Sequence, residues 1–328
     1  MAGISSLSDL IRHKYRVFVT KCSHIDQFSL SAGGFCTFVK IQPSMNGLCI
    51  LLLAVLNFGS VDRAFERESY KACRDSLCVM LGQASAPHEK AEVLWRLSRV
   101  TLMLGEKESA REVRRTVFAE GIRYADEAIA AEPANIQSYM WHCANTGREC
   151  QTHGIKEQAA AVPVMLRDLE TILDRYGRTD FSEAWQALAE IFHEHPLKSN
   201  DKAINYARKA AVTIPARELR LTTYLYLAEL LYERNASASR RAAAIASDAA
   251  KYGGAGQSNT ERMGYFVGST GTGGQAPWSE QPLVGISDRE EALALVRYAM
   301  ARYENASRRT KMDVRDYRTL SFLADKWK

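Results

Sequence analysis

The sequence predicts an all-α protein, a TPR-like solenoid of about four helical hairpins closed by a C-terminal helical cap. Three observations carry this. Two thirteen-residue stretches, "GIRYADEAIAAEP" at 121–133 and "AINYARKAAVTIP" at 203–215, place small residues at the same helical spacing and stop at proline. Only eight prolines occur in 328 residues, and the abundant Ala, Leu, Arg and Glu are good helix formers. No stretch alternates apolar and polar residues for long enough to specify a sheet. With 46% hydrophobic and 25% charged residues, the chain has the composition of a folded domain that buries a large core.

The first sixty residues read differently. Residues 45–60, "MNGLCILLLAVLNFGS", are an uncharged apolar run. A bilayer span needs about twenty apolar residues, whereas an export signal uses roughly 7–15 followed by small ones, here Gly59 and Ser60. A start at Val39 would leave Lys40 as the basic leader such a signal needs. Residues 1–38 are therefore expected to lie outside the natural product, and residues 1–60 to be a non-native or cleaved leader. On this reading the mature chain is periplasmic or secreted. A cytoplasmic protein with a buried or membrane-associated apolar helix is the alternative. Loss of the leader removes Cys22, Cys36 and Cys49 and leaves Cys73, Cys78, Cys143 and Cys150. Spacing does not decide their pairing, and small buried thiols are the expectation.

Residues 61–252 hold the expected repeats. In the first unit Leu94, Leu97 and Ser98 pair with the helix ending at Pro133, across a link at 101–120 about ten residues longer than usual. In the second, Tyr139, His142, Cys143 and Thr146 pair with Ile155, Ala159 and Val162, and that helix runs on through "VMLRDLETILDRYG". In the third, Trp185, Leu188, Ala189 and Phe192 follow the spacing W-x2-L-A-x2-F, and Ala203, Ala207, Ala210 and Pro215 supply the partner. In the fourth, Tyr224, Leu227, Ala228 and Leu231 are expected to pair with Ala242, Ala246 and Ala249 before Gly253 and Gly254 stop the chain. Small residues at Ala189 and Ala203 let antiparallel helices approach closely.

The third unit resembles the tetratricopeptide-repeat family. The stretches "WRLSR" at 95–99, "SYMWHCANTGRECQTHGIKEQ" at 138–158 and "DKAINYARKA" at 201–210 give a narrower resemblance, over roughly residues 90–250, to the TPR-like domain of the regulator-of-microtubule-dynamics family. That resemblance implies the fold. Microtubule binding is not carried over, because the C-terminal tail and the expected export signal do not suit a cytoskeletal partner.

A Gly-rich stretch, 253–286, without helical period is expected to be an irregular connector whose aromatics Tyr265, Phe266 and Trp278 dock onto the repeats. Its "GSTGTGG" lacks the Lys-Ser/Thr and the preceding strand of a phosphate loop. Residues 287–328 are expected to be capping helices, opened by the capping box Ser287–Glu290.

Composition and motif spacing point away from catalysis. The net charge is +5, but residues 1–44 hold five Lys/Arg against two Asp/Glu, so the remainder is near neutral and offers no basic footprint for nucleic acid. His193 and His195 are two apart and face different sides of a helix, unlike a zinc-binding H-E-x-x-H pair. His142, Cys143, Cys150 and His153 have zinc-ligand chemistry without a ligand spacing. Neither a nucleophile with its base nor a cofactor fingerprint stands out, so no enzyme activity, cofactor or metal is expected. The expected role is a binding scaffold for a protein or peptide, with a small apolar ligand of a transport system as the alternative; oligomeric state is left open. The expected concave groove is lined by Trp95, Arg99, Gln137, Met140, Glu183, Gln186, Glu190, His193, Leu225, Glu229 and Tyr232. Its glutamates call for a partner segment that is basic there.

Overall fold

Caps and breakers decide where the helices begin. The computed structural model describes residues 56–194, 197–268 and 275–327, and all regular structure among them is helical. Asn135, Ser199, Ser237 and Ser287 each accept a first-turn N–H, satisfying donors that a helix start otherwise leaves orphaned. Pro87 sits in the first turn of its helix, where a missing N–H costs nothing.

A short pair, α1 (Gly59–Glu66) and α2 (Tyr70–Gln83), precedes the first hairpin, α3 (Pro87–Gly105) with α4 (Arg111–Ala131). The second hairpin is α5 (Ile136–Cys150) with α6 (Ile155–Glu170), which continues into a π-helical turn, Thr171–Arg175. The third is α7 (Ser182–His193) with α8 (Asn200–Val212), followed by α9 (Leu221–Arg234). Each hairpin packs along its length, and α4 and α8 also pack against the first helix of the next one. In the third, Trp185, Leu188, Ala189, Ala203, Ala207 and Ala210 are all buried. Trp185 stacks on Tyr206 with ring centroids 6.2 Å apart.

The surplus at 101–120 is not a long loop. Helix α3 runs to Gly105 and α4 starts at Arg111, so the extra residues become helical turns. The meeting point of α3, α4 and α5 is a polar knot. Ser98 Oγ donates to the Gly121 carbonyl at 2.8 Å, and Asn145 Nδ2 donates to Ser98 Oγ and Trp141 O, both at 3.0 Å. A Cβ on Gly121 would lie 2.5 Å from Asn145 Cγ, so only glycine allows this approach.

Two expectations are corrected. Ile155, assigned to the core of the second hairpin, is 78% exposed, because it begins α6 after Gly154 and lies outside the interhelical seam. In the fourth hairpin, α9 packs along α12 (Asp288–Glu304) and not along α10 (Ala238–Tyr252). Ala292, Leu295, Val296 and Ala299 of α12 are fully buried, whereas Ala246 is exposed and Ala242 and Ala249 are half-buried. The physical reason is area. Helix α12 offers a stripe with two large aliphatics, α10 little beyond Ile245, and the stripe that removes more apolar surface from water wins.

The chain between α9 and α12 is thus an excursion within a hairpin. It contains α10, the short α11 (Asn259–Met263) and a 3-10 turn, Leu283–Gly285. It is laid on α8, where Asn205 Nδ2 donates to Gly264 O at 2.9 Å and the Tyr206 hydroxyl to Thr260 O at 3.0 Å. Phe266 and Trp278 are buried and Tyr265 half-buried, so the connector's aromatics dock onto the stack. They do so outside the expected groove: Trp278 meets Tyr224 edge-on at 6.4 Å and donates to Glu291 Oε1 at 3.3 Å. Glu291 also receives Arg208 Nη2 at 2.8 Å and Arg241 Nη2 at 2.6 Å, all three side chains being buried. The capping box is formed, with Ser287 N donating to Glu290 Oε2 at 2.6 Å. Helix α13 (Lys311–Lys326) packs on α12 and crosses α9. No helix of the described residues is long and apolar enough to cross a membrane. Most of the expected leader, including Cys22, Cys36 and Cys49, lies outside the described residues.

Candidate functional site

Helices α5 and α7 are first helices of neighbouring hairpins, yet they touch over only a short stretch. Small residues face the gap, Ala144 and Gly147 from α5 and Ala187 from α7, and they leave a cleft of about 630 Å³. Val162 and Met165 of α6 and Ile191 of α7 supply apolar wall, Ile155 stands exposed at its edge, and Tyr226 comes from α9. Its polar groups include Arg148, Gln151, Gln158, Glu190, His193 and Glu194.

The electrostatics of the cleft turn on Glu190. Gln186 Nε2 donates to its Oε1 at 3.1 Å. Burial pushes the carboxyl up to about 8, against the pull of Arg148. Arg148 is itself engaged, with its Nε 3.3 Å from Glu106 Oε1 and its Nη1 donating to Gln151 Oε1 at 3.2 Å. The Tyr226 ring meets His193 edge-on at 6.4 Å, and His193 Nε2 lies 4.0 Å from Glu233 Oε2. Among the described residues nothing hydrogen-bonds the Tyr226 hydroxyl, whose ionisation is suppressed by burial and then by Glu190, Glu194, Glu229 and Glu233. Burial holds Cys143 well above the usual thiol range and Cys150 at about 11, so neither is a thiolate nucleophile at neutral pH. The arrangement is suited to binding: apolar walls with a few convergent polar groups.

The eleven expected groove residues do not form one open face. Trp95 and Arg99 are buried, and Arg99 is held by α1, its Nη2 2.7 Å from Asp62 Oδ1 and its guanidinium 4.0 Å over the Phe65 ring. Gln137 and Met140 are buried. Glu183 pairs with Arg220, and Gln186 accepts from Thr223 Oγ1 at 2.6 Å. At the far end Leu225 is buried and Glu229 half-buried, while Tyr232 stacks on Trp327. Two of the eleven, Glu190 and His193, line the cleft. The groove closes because α1 and α13, elements beyond the repeats, lie over its two ends. Sequence reasoning missed Arg148, Met165, Tyr226 and the edge at Ile155. A signal was present in Ile155, an apolar first-turn residue directly after Gly154 among charged neighbours.

The other clusters have structural partners. His142 is clamped between Asp168, 2.6 Å from Nδ1, and Asp126, 3.3 Å from Nε2. His153 bonds Glu149 at 2.5 Å and Cys150 Sγ contacts Gly147 O at 3.2 Å, so these residues do not converge as a ligand set. His195 lies outside the described residues, as does most of "GSTGTGG". Among the described residues one group could bring three ligand atoms together, His88, Glu92 and Glu132. There His88 Nδ1 lies 2.9 Å from Glu132, and Glu92 is occupied by Arg96 and Asn135.

Fold and site together define an all-α helical-hairpin protein with an interhelical cleft. The family model described as Regulator of microtubule dynamics protein 1-3 matches residues 58–169, about a third of the chain, spanning α1 to α6. The match supports the resemblance seen in "WRLSR" and "SYMWHCANTGRECQTHGIKEQ". It ends before α7. No curated protein and no solved structure matches the chain.

Proposed function

We propose that the protein is a non-enzymatic helical-repeat scaffold that takes a protein or peptide partner in the α5–α7 cleft. The observation that carries this is the cleft itself, about 630 Å³ with a largely apolar lining, opening beside an isoleucine that is 78% exposed. An apolar cavity with an apolar edge gains by enclosing an apolar side chain of a partner. Peptides selected against the wild-type protein from a random displayed library test it. They should lose binding to Ile155→Asp and to Gln158→Trp, variants that reshape the edge while the melting temperature stays within a few degrees. Selected peptides that bind both variants as well as wild type would move the site elsewhere.

A small apolar ligand is the second reading, favoured by the cleft volume, which falls within the range of about 300–1,000 Å³ typical of small-molecule sites. Native mass spectrometry of freshly purified protein distinguishes the two: a retained small molecule supports this reading. Placement in the cell envelope is supported by the apolar run at 45–60. N-terminal sequencing of protein from its native source tests it, and a mature chain beginning before Met45 would end the idea.

A further inference from the structure

The cleft has a charge as well as a shape. Glu190, Glu194 and Tyr226 line the cleft together, and the Tyr226 hydroxyl has no hydrogen-bond partner among the described residues. One oxygen of Glu190 is occupied by Gln186, leaving the other available. The one arginine in the lining, Arg148, is already matched by Glu106. Carboxyl groups therefore outnumber uncommitted cations on the polar side, while Val162, Met165 and Ile191 supply apolar wall on the other. A group complementary to both sides has an unbranched alkyl stem and a compact cation at its end with several donors.

Resting on the peptide-binding role proposed above, we propose that the cleft is a lysine socket: it receives one lysine side chain of the partner, its stem along Val162, Met165 and Ile191 and its ammonium donating to Glu190 and to the Tyr226 hydroxyl. Acidic side chains are disfavoured there by Glu194. An arginine fits less well, because its planar fork is wider than the point charge that one free carboxylate oxygen and one hydroxyl can serve.

The socket has a proton signature. The groups around Glu190 are Arg148 and Cys143 from α5, His193 from its own helix and Glu194 just past its end, and Tyr226 from α9; Gln158, Val162 and Met165 from α6 bring no charge. With its carboxyl pushed up to about 8, Glu190 is about nine-tenths protonated at pH 7. An incoming ammonium favours the carboxylate, so the proton leaves Glu190 for solvent as the lysine docks.

Isothermal titration calorimetry at pH 7, repeated in two buffers of different ionisation enthalpy, tests this with a short end-blocked alanine-leucine peptide carrying one central lysine. Versions with norleucine, acetyl-lysine or glutamate at that position are the comparisons. Expected is binding of the lysine peptide about tenfold tighter than the norleucine peptide, with release of up to about 0.9 proton. Glu190→Gln should remove the proton release and most of the lysine advantage. Equal affinity for lysine and norleucine, both lost in Gln158→Trp, overturns the socket and leaves the binding cleft standing. Tighter binding of the glutamate peptide does the same. Lysine-peptide binding that survives Gln158→Trp, or no binding of any peptide up to millimolar concentration, overturns both.

Discussion

Tyr232 lies face to face with Trp327, ring centroids 4.2 Å apart and planes 7° from parallel. The Arg289 guanidinium also sits over the Tyr232 ring, 4.7 Å from its centroid. This stack fastens the end of α13 across α9. Trp327→Ala should lower stability by about 1–2 kcal/mol, and amide exchange should accelerate in α13 before it does in α7. Unchanged exchange in α13 would mean that the stack does not hold it.

Gly121→Ala should destabilise by about 2–4 kcal/mol, because the added methyl meets Asn145 within the knot that joins α3, α4 and α5. The sign is informative, since glycine to alanine inside a helix otherwise gains roughly 0.5–1 kcal/mol. Gly82 in α2 is the control: a Cβ added there would meet no atom within 4 Å, and Gly82→Ala should show that gain. Urea denaturation of both variants gives the comparison.

Glu291→Ala should cost about 3–5 kcal/mol by leaving Arg208 and Arg241 buried without their carboxylate. Burial alone would raise the Glu291 carboxyl, but Arg208 and Arg241 outweigh it and hold it at about 2, below its ordinary 4.5. A folded-state value below the unfolded one means stability complete above about pH 4.5 and lost as pH falls towards 2. Melting temperatures taken from pH 6 down to 2 should fall through this window, and Glu291→Gln should flatten the fall.

Glu190 works in the opposite direction. Its folded value of about 8 lies above its ordinary 4.5, so the stabilisation is full below about pH 4.5 and is lost as pH rises through 8. Glu190→Gln should therefore gain on wild type as pH rises, by about 1–3 kcal/mol at pH 9, since a cleft carboxyl that keeps some access to water delivers less than its full shift. Parallel melting curves from pH 5 to 9 for the two proteins would refute the burial of Glu190.

The third hairpin is legible in the sequence because its core is written in bulk and spacing, Trp185, Leu188 and Ala189 against Ala203, Ala207 and Ala210, which need no distant partner to be read. The fourth is ambiguous because two later helices both set small residues at the right intervals. Choosing between Ala242, Ala246 and Ala249 and the stripe Ala292, Leu295, Val296 and Ala299 requires comparing buried areas across a long excursion. The groove residues fail for a related reason. Family spacing assigns a face to Arg99 and Tyr232, but that Phe65 and Trp327 would cover it is a long-range fact. Glu190 and His193 follow from helical phase alone. Tyr226 and Arg148 join them through the incomplete contact of α5 with α7, which spacing along one helix does not encode.

Pairing α9 with α12 also bears on how the chain is made. The third hairpin closes over about six linking residues and the fourth over about fifty, a difference of about 2 kcal/mol in loop-closure entropy. At roughly 5–20 residues per second on the ribosome, several seconds separate the synthesis of α9 from that of its partner. During that interval Tyr224, buried in the finished fold, lacks the Tyr298 ring of α12 that it meets edge-on at 5.4 Å. Helix α9 is the segment of the nascent chain that a chaperone would meet.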